Sequence, residues 1–214
     1  MIPERKRIAL TFDDGPSPGT TDAVLDLLAQ YGAAASFFLV GSQIGAETAP
    51  IIRRAQEMGC EICHHSFSHS DMSRMTPAEI AAEMEETTRR ITVVTGSPPK
   101  FFRPPYIAVS DTMFAEIPLP FVAGYGVDDY DDAVSAEQRY QGVMKQAKNN
   151  AIILLHDKEG NVQTVEALAR LLPALRDAGY DFVTMSGLFA ETGITPLPNV
   201  LYSYAEQIEM YAAE

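Results

Sequence analysis

The sequence has no tryptophan, two cysteines and four histidines, and it sets 16 lysines and arginines against 29 aspartates and glutamates. Each scarcity excludes something. A formal charge of −13 argues against nucleic acid and against anionic membrane surfaces, since both need basic patches. No apolar run reaches the ~20 residues of a membrane-spanning helix. The opening stretch, Met1-Ile2-Pro3-Glu4-Arg5-Lys6-Arg7, lacks the apolar segment of a secretory signal. The expectation is either a cytoplasmic protein or a secreted or cell-envelope protein whose export signal is absent from this chain. The cysteines form one Cys60-x-x-Cys63 pair. No second pair completes a zinc knuckle, and the flanking residues read as a strand, where positions i and i+3 face opposite ways about 10 Å apart. That is too far for a disulfide, so both are expected as small buried apolar residues.

At 214 residues, 46% hydrophobic and 21% charged, the chain is long enough for one domain with a real core. It is expected to act as a monomer, as a single domain over 1–214. Short β-branched and aromatic runs at 7–12, 35–41, 60–64, 100–103, 121–127, 151–155 and 180–185 read as strands. Between them lie helical periodicities. Thr20 or Thr21 caps a first helix that stops at Gly32, and a second runs over 50–58. A third starts at the capping box Thr76-Pro77-Ala78-Glu79, and two more cover 135–148 and 162–178. The proline-bearing segment 107–120 reads as loop, and residues 194–214 as a C-terminal tail holding a short helix with an acidic end. Strand–helix alternation predicts a parallel α/β sheet with helices outside, a barrel or a doubly wound sheet.

Three of the four histidines fall between 64 and 69. On a helical turn, the four-residue spacing of His65 and His69 puts both imidazoles on one face, within reach of one metal ion. A third ligand is then needed, and a hydrolytic metal keeps a position open. The pair Asp13-Asp14 offers that ligand. Strand alternation turns His64 away. Asp13, Asp14, His65, Arg103, Asp128 and His156 all fall at or just past strand C-termini, the edge that carries active sites in parallel α/β proteins.

Four stretches together resemble the motifs of the NodB-type polysaccharide deacetylases, carbohydrate esterase family four. They are Thr11-Phe12-Asp13-Asp14-Gly15, His65-Ser66-Phe67-Ser68-His69, Arg103-Pro104-Pro105-Tyr106 and Leu154-Leu155-His156. The resemblance covers residues 7–190 and implies a distorted, incomplete (β/α) barrel as the catalytic domain. A further family motif flanks paired aspartates with tryptophans. Here it reads Tyr125-Gly126-Val127-Asp128-Asp129-Tyr130-Asp131-Asp132, with Asp132 where an aromatic is expected. That departure bears on the groove wall and so on the substrate.

The resemblance implies a divalent metal on Asp14, His65 and His69, Zn²⁺ foremost, with Co²⁺, Ni²⁺ and Mn²⁺ also suited to such ligands. It implies Asp13 as general base, oriented by Arg103, and the Tyr106 N–H as oxyanion donor. His156 would be the general acid, with Asp128 holding its protonated form or bracing Arg103. Leu154 would line an acetyl-methyl pocket, and Pro105, Tyr106 and Tyr130 would meet the sugar. The implied activity is removal of acetyl groups from an acetylated polysaccharide or oligosaccharide. N-acetyl groups of GlcNAc polymers such as peptidoglycan or chitin come first, and O-acetyl groups of xylan are the alternative. A catalytically dead glycan-binding version would have lost Asp13 or a metal histidine, and neither is lost.

Overall fold

The computed structural model describes residues 5–207. In chain order its elements are β1 (Lys6–Asp13), α1 (Thr20–Gln30), β2 (Ser36–Leu39), α2 (Ala49–Glu57), β3 (Glu61–His64), α3 (Pro77–Thr95), α4 (Asp111–Glu116), β4 (Phe121–Val122), α5 (Ala136–Gln146), β5 (Ala151–His156), α6 (Val162–Asp177), β6 (Tyr180–Phe182), α7 (Met185–Thr192) and β7 (Leu201–Tyr202). β1 is the central strand. Its residues from Ile8 to Asp13 are all buried, as expected for a parallel strand covered on both faces. β2 pairs with its C-terminal end, Asp13 opposite Phe38, and β3 continues from β2. Along the other edge β5 runs in register, with Asp13 opposite His156, while β6 pairs with Lys6–Ile8. Every ladder between these strands is parallel, so the strand C-termini share one rim.

Alternation along β1 sorts its side chains. Ile8, Leu10 and Phe12 pack outward against Val24 and Leu28 of α1, Ile52 of α2 and Leu168 and Leu172 of α6. Ala9 faces the other way, into a smaller core with Phe38, Cys63, Ile152 and α7 residues Met185, Leu188 and Phe189. Thr11 and Asp13 share that inner side, where Arg103 reaches both. Beyond β3 the ladders shrink to single bridges, His64 to Phe102, Phe102 to Phe121 and Tyr125 to Ile153, all parallel. The result is the expected α/β fold with a parallel sheet and no closed ring of ladders.

Several local expectations change. The segment 100–103 pairs only through Phe102, because prolines 98, 99, 104 and 105 flank it and supply no N–H donors. The strand expected over 121–127 stops at Val122. Gly124 turns there with a left-handed backbone, φ +84, and passes so close to Arg103 that an added Cβ would lie 3.2 Å from its guanidinium. Segment 107–120 is not all loop. Ser110 accepts the Met113 N–H and starts α4, whose Met113 packs with Phe102 and Phe121. The prolines that suggested a loop, Pro118 and Pro120, simply follow the helix end. Gly19, not Thr20 or Thr21, precedes α1 as its N-cap. After β6, Thr184 accepts the Gly187 N–H and starts α7, where strand was expected up to 185. Residues after Gly193 rejoin the fold, since β7 pairs with β4 and Tyr202 is buried. The short helix with an acidic end falls largely on 208–214, outside the described residues, as do Met1 to Glu4 at the other end. The Thr76–Glu79 capping box forms as read, and Cys60 and Cys63 are free and buried.

Leu10 is completely buried between β1 and the outer helices. Leu10→Ala should lower stability by about 2–5 kcal/mol, read from denaturant melts with unchanged slope.

Candidate active site

The first cluster forms where β1 ends. Asp14 follows it with a left-handed backbone (φ 71), and Gly15 then passes so close to Asp157 that an added Cβ would lie 2.5 Å from its carboxylate. Asp14 Oδ1 stands 3.5 Å from His65 Nε2 and 3.2 Å from His69 Nε2. His65 Nδ1 lies 2.7 Å from the Arg103 carbonyl oxygen, which can only accept. Nδ1 therefore carries the proton and Nε2 presents its lone pair. Despite those short distances Asp14 Oδ1 is buried and receives no hydrogen bond. Three ligand atoms, one from each residue, thus converge within 4.8 Å of one another. The unpartnered Asp14 Oδ1 with two imidazole nitrogens beside it fits a cation at their centre, and two imidazoles with one carboxylate suit a first-row divalent ion. The two histidines meet through a loop and not a helical turn: His65 directly follows β3, and Ser66 (φ 61) and His69 (φ 58) bend the chain back. His64 is turned away and fully buried, as read.

Beside this cluster Asp13 Oδ1 accepts from Arg103 Nη1 at 2.5 Å, and its other oxygen lies 3.6 Å from His65 Nε2. Both partners are buried. Arg103 also donates to Thr11 Oγ1 at 2.8 Å and to the Val122 carbonyl at 3.3 Å, and its guanidinium lies 4.1 Å over the Phe38 ring.

His156 ends β5 across the register from Asp13. Its partner is Asp129 and not Asp128. Asp129 Oδ1 is 2.7 Å from His156 Nδ1, while Oδ2 accepts the His156 N–H and the Thr164 hydroxyl. Asp128 is exposed, in a left-handed turn (φ 53), and touches neither His156 nor Arg103. That turn swings the next residue inward. Behind Asp129, buried Arg139 donates to Thr164 Oγ1 and Asn161 Oδ1, and to the carbonyls of Asp131 and Val134. Burial works against a charged His156, but the Asp129 hydrogen bond and charge, helped by Asp13 and Asp14, outweigh it and raise its pKa above the ordinary imidazole value. Next to it, burial pushes the Asp157 carboxyl up to about 7, against the hydrogen bond it accepts from Thr21.

Asp13, Asp14, His65, His69 and His156 line one cavity of about 540 Å³. Leu154 lines it, as expected. Tyr106 and Tyr130 are 69% and 55% exposed at its mouth, the first ring 4.9 Å from His69 and the second 5.8 Å from His156. Tyr106 and Ile107 both have positive φ, 59 and 56. Pro105 is buried behind the wall, and Pro104 takes its place in the lining, because the tight turn at 105–107 rotates one ring inward. Lys158, unnoticed in the sequence, also lines the cavity and holds the Tyr130 carbonyl at 2.6 Å. Asp132, at the position of the missing aromatic, is 88% exposed and 3.4 Å from Lys158.

Comparison with known proteins follows the same lines. Residues 2–118 match the model of the family described as polysaccharide deacetylase. A bifunctional xylanase/deacetylase of Pseudobutyrivibrio xylanivorans is 46% identical over 198 residues, 92% of this chain and 32% of that protein. The peptidoglycan-N-acetylglucosamine deacetylase of Listeria monocytogenes is 35% identical over 87% of this chain and 39% of its own length. The chain therefore spans about a third of these curated relatives. A family 4 acetyl xylan esterase from Clostridium thermocellum, solved with a cobalt ion, superposes with a TM-score of 0.92 at 40% identity, covering 94% of this chain and 100% of that one. The motifs, the parallel fold and these matches agree, and the chain belongs to the polysaccharide deacetylase family, the NodB-type enzymes of carbohydrate esterase family four.

Proposed function

We propose that this chain is a metal-dependent deacetylase of an acetylated polysaccharide, and that O-acetylated xylan is its substrate. The observation that carries the reading is the convergence of a three-atom ligand cluster, an arginine-braced carboxylate and a carboxylate-braced histidine on one cavity. Asp14, His65 and His69 would hold the ion, Zn²⁺ by preference. A divalent cation there supplies Lewis acidity, which activates water and polarises an acyl carbonyl. Asp13 lies beside those ligands and takes the proton from the attacking water, while Arg103 fixes its orientation. The Tyr106 N–H donates to the oxygen that gains charge. His156, held by Asp129, gives its proton to the leaving sugar oxygen. Leu154 shields the acetyl methyl, and Tyr106 and Tyr130 flank the sugar. Such a substrate places the protein outside the cell or at its envelope.

Xylan is favoured because the 46%-identical relative and the cobalt-bound neighbour are named for xylan chemistry, and because exposed Asp132 leaves the wall open where an aromatic would narrow it. One observation favours the N-acetyl reading. An amide nitrogen must be protonated before it leaves, more than an ester oxygen, and the raised pKa keeps His156 in its proton-donating form to higher pH. Acetate release from acetylated xylan and from N-acetyl-chitopentaose, each with added Zn²⁺, tests both. Faster release from xylan is expected, the opposite preference overturns the substrate, and no release from either overturns the class. Chelator treatment should abolish release, and Zn²⁺ should restore it.

The adjacent aspartates should fail differently. Asp14→Asn removes the only anionic donor, so metal affinity should fall and excess metal should recover part of the activity. Asp13→Asn should keep the metal and lower turnover about a hundred- to ten-thousand-fold, beyond recovery by metal. Calorimetric metal titration of both variants checks the assignment, and the reverse pattern exchanges the two roles.

A general acid must be protonated to work, so activity should fall as pH rises through the His156 pKa. Asp129 raises that pKa. Asp129→Asn should therefore move the basic limb of the pH–rate profile to lower pH, while Asp128→Asn should leave it in place.

A further inference from the structure

The loop that carries His69 has an unusual hydrogen-bond account. Four consecutive N–H groups, those of Ser66, Phe67, Ser68 and His69, bond to side chains and to no backbone carbonyl of a strand or helix. The Ser66 N–H goes to His64 Nδ1 at 3.0 Å, and the His69 N–H to Ser66 Oγ at 3.0 Å. The middle two, Phe67 and Ser68, both end on one atom, Glu83 Oε2, at 2.7 and 2.8 Å. Glu83 is thus the one acceptor supplied from outside the 64–69 segment. It projects from α3, whose next residue, Met84, accepts His64 Nε2–H through its carbonyl at 3.1 Å. On the loop's other side the Ser66 and Phe67 carbonyls accept the Gly41 and Ser42 N–H groups at 2.9 Å.

We propose that Glu83 is a positioning residue for the metal-ligand loop. Its carboxylate draws two successive N–H groups toward α3, and this closes the turn that brings His69 back to His65 and Asp14. Left-handed backbone at Ser66 and His69 costs free energy and persists only where neighbours over-determine it. The bifurcated contact on one carboxylate oxygen is the strongest such constraint on the loop, since charge-assisted bonds exceed neutral ones about twofold. Without it, Phe67 and Ser68 are free to turn to water, and the return of His69 loses its outer support. The inference rests on Asp14, His65 and His69 being the metal ligands, as proposed above.

The test is Zn²⁺ affinity by competition with a chromophoric chelator, measured on the parent chain and on Glu83→Ala and Glu83→Gln. An amide oxygen at the same reach can accept both N–H groups, so Glu83→Gln should bind close to the parent. Glu83→Ala should bind about 10–100-fold more weakly, the range for partners that orient metal ligands. Thermal melts of the metal-free proteins serve as the folding control. If Glu83→Ala does not fold, Glu83→Asp, one methylene too short to span to both N–H groups, takes its place with the same expected loss. Equal affinity in all variants overturns the inference, and so does an equal loss in Glu83→Gln, which would assign the effect to charge. Failure of the parent itself to bind Zn²⁺ overturns the metal reading and this inference with it, so the two failures are distinct.

Discussion

A fully buried guanidinium must satisfy its donors or the fold does not form, and Arg103 is such a group at the centre of the site. Desolvating such a charge costs several kcal/mol before any partner is counted. Its side chain meets the requirement with Asp13, Thr11, the Val122 carbonyl and the face of Phe38, which ties together β1, β2 and β4. Its backbone does as much. The Arg103 N–H donates to the His64 carbonyl at 2.9 Å, and its own carbonyl fixes the His65 tautomer. One residue thus orients the carboxylate beside the ligand cluster and the imidazole within it. The sheet supplies little else on this side, since Phe102 joins its neighbours by single bridges. The polar contacts of Arg103 stand where ladder hydrogen bonds would otherwise be.

This explains which features were legible in the sequence. Long apolar runs with β-branched residues became β1 and β5, because their burial on both faces is a property of composition. Asp13, Asp14, His65, His69, Arg103 and His156 could be found because each stands at the end of such a run or in a compact motif, and parallel topology sends all those ends to one rim. Tertiary constraint decided the rest. Nothing local says that Asp128 turns left-handed and hands the inward position to Asp129. The prolines around 100–103 and 118–120 marked irregularity without saying whether a bridge or a helix would fill it. Ser110 and Thr184 were readable caps, each followed three residues on by the N–H it accepts, but strand and loop signals nearby masked them. Pro104 and Pro105 exchanged roles through a one-residue rotation that periodicity does not resolve.

The His156 side of the site shows a second kind of support. Arg139 is buried like Arg103 but has no carboxylate partner among its hydrogen bonds, which run to two side-chain oxygens and two carbonyls of the acidic loop. It holds a chain segment in shape, and Asp129 rides on that segment. With Arg139 bonded to neutral acceptors, the only charged partner among the Asp129 hydrogen bonds is His156.

The left-handed residues have a consequence of their own. Asp14, His69, Tyr106 and Ile107 line the cavity and take backbone angles that side chains disfavour, at about 1–3 kcal/mol each, and Ser66 and Asp128 do the same near lining residues. The rim therefore concentrates backbone strain, since among the described non-glycine residues only Asn150 is left-handed elsewhere. Glycine at these places would ease the chain and raise heat tolerance, yet it would also let the rim wander among shapes that do no chemistry. Selection for robustness and selection for turnover pull in opposite directions at the same few residues, so a variant hardened by random mutation and melting screens would be expected to gain its margin there and become a slower enzyme.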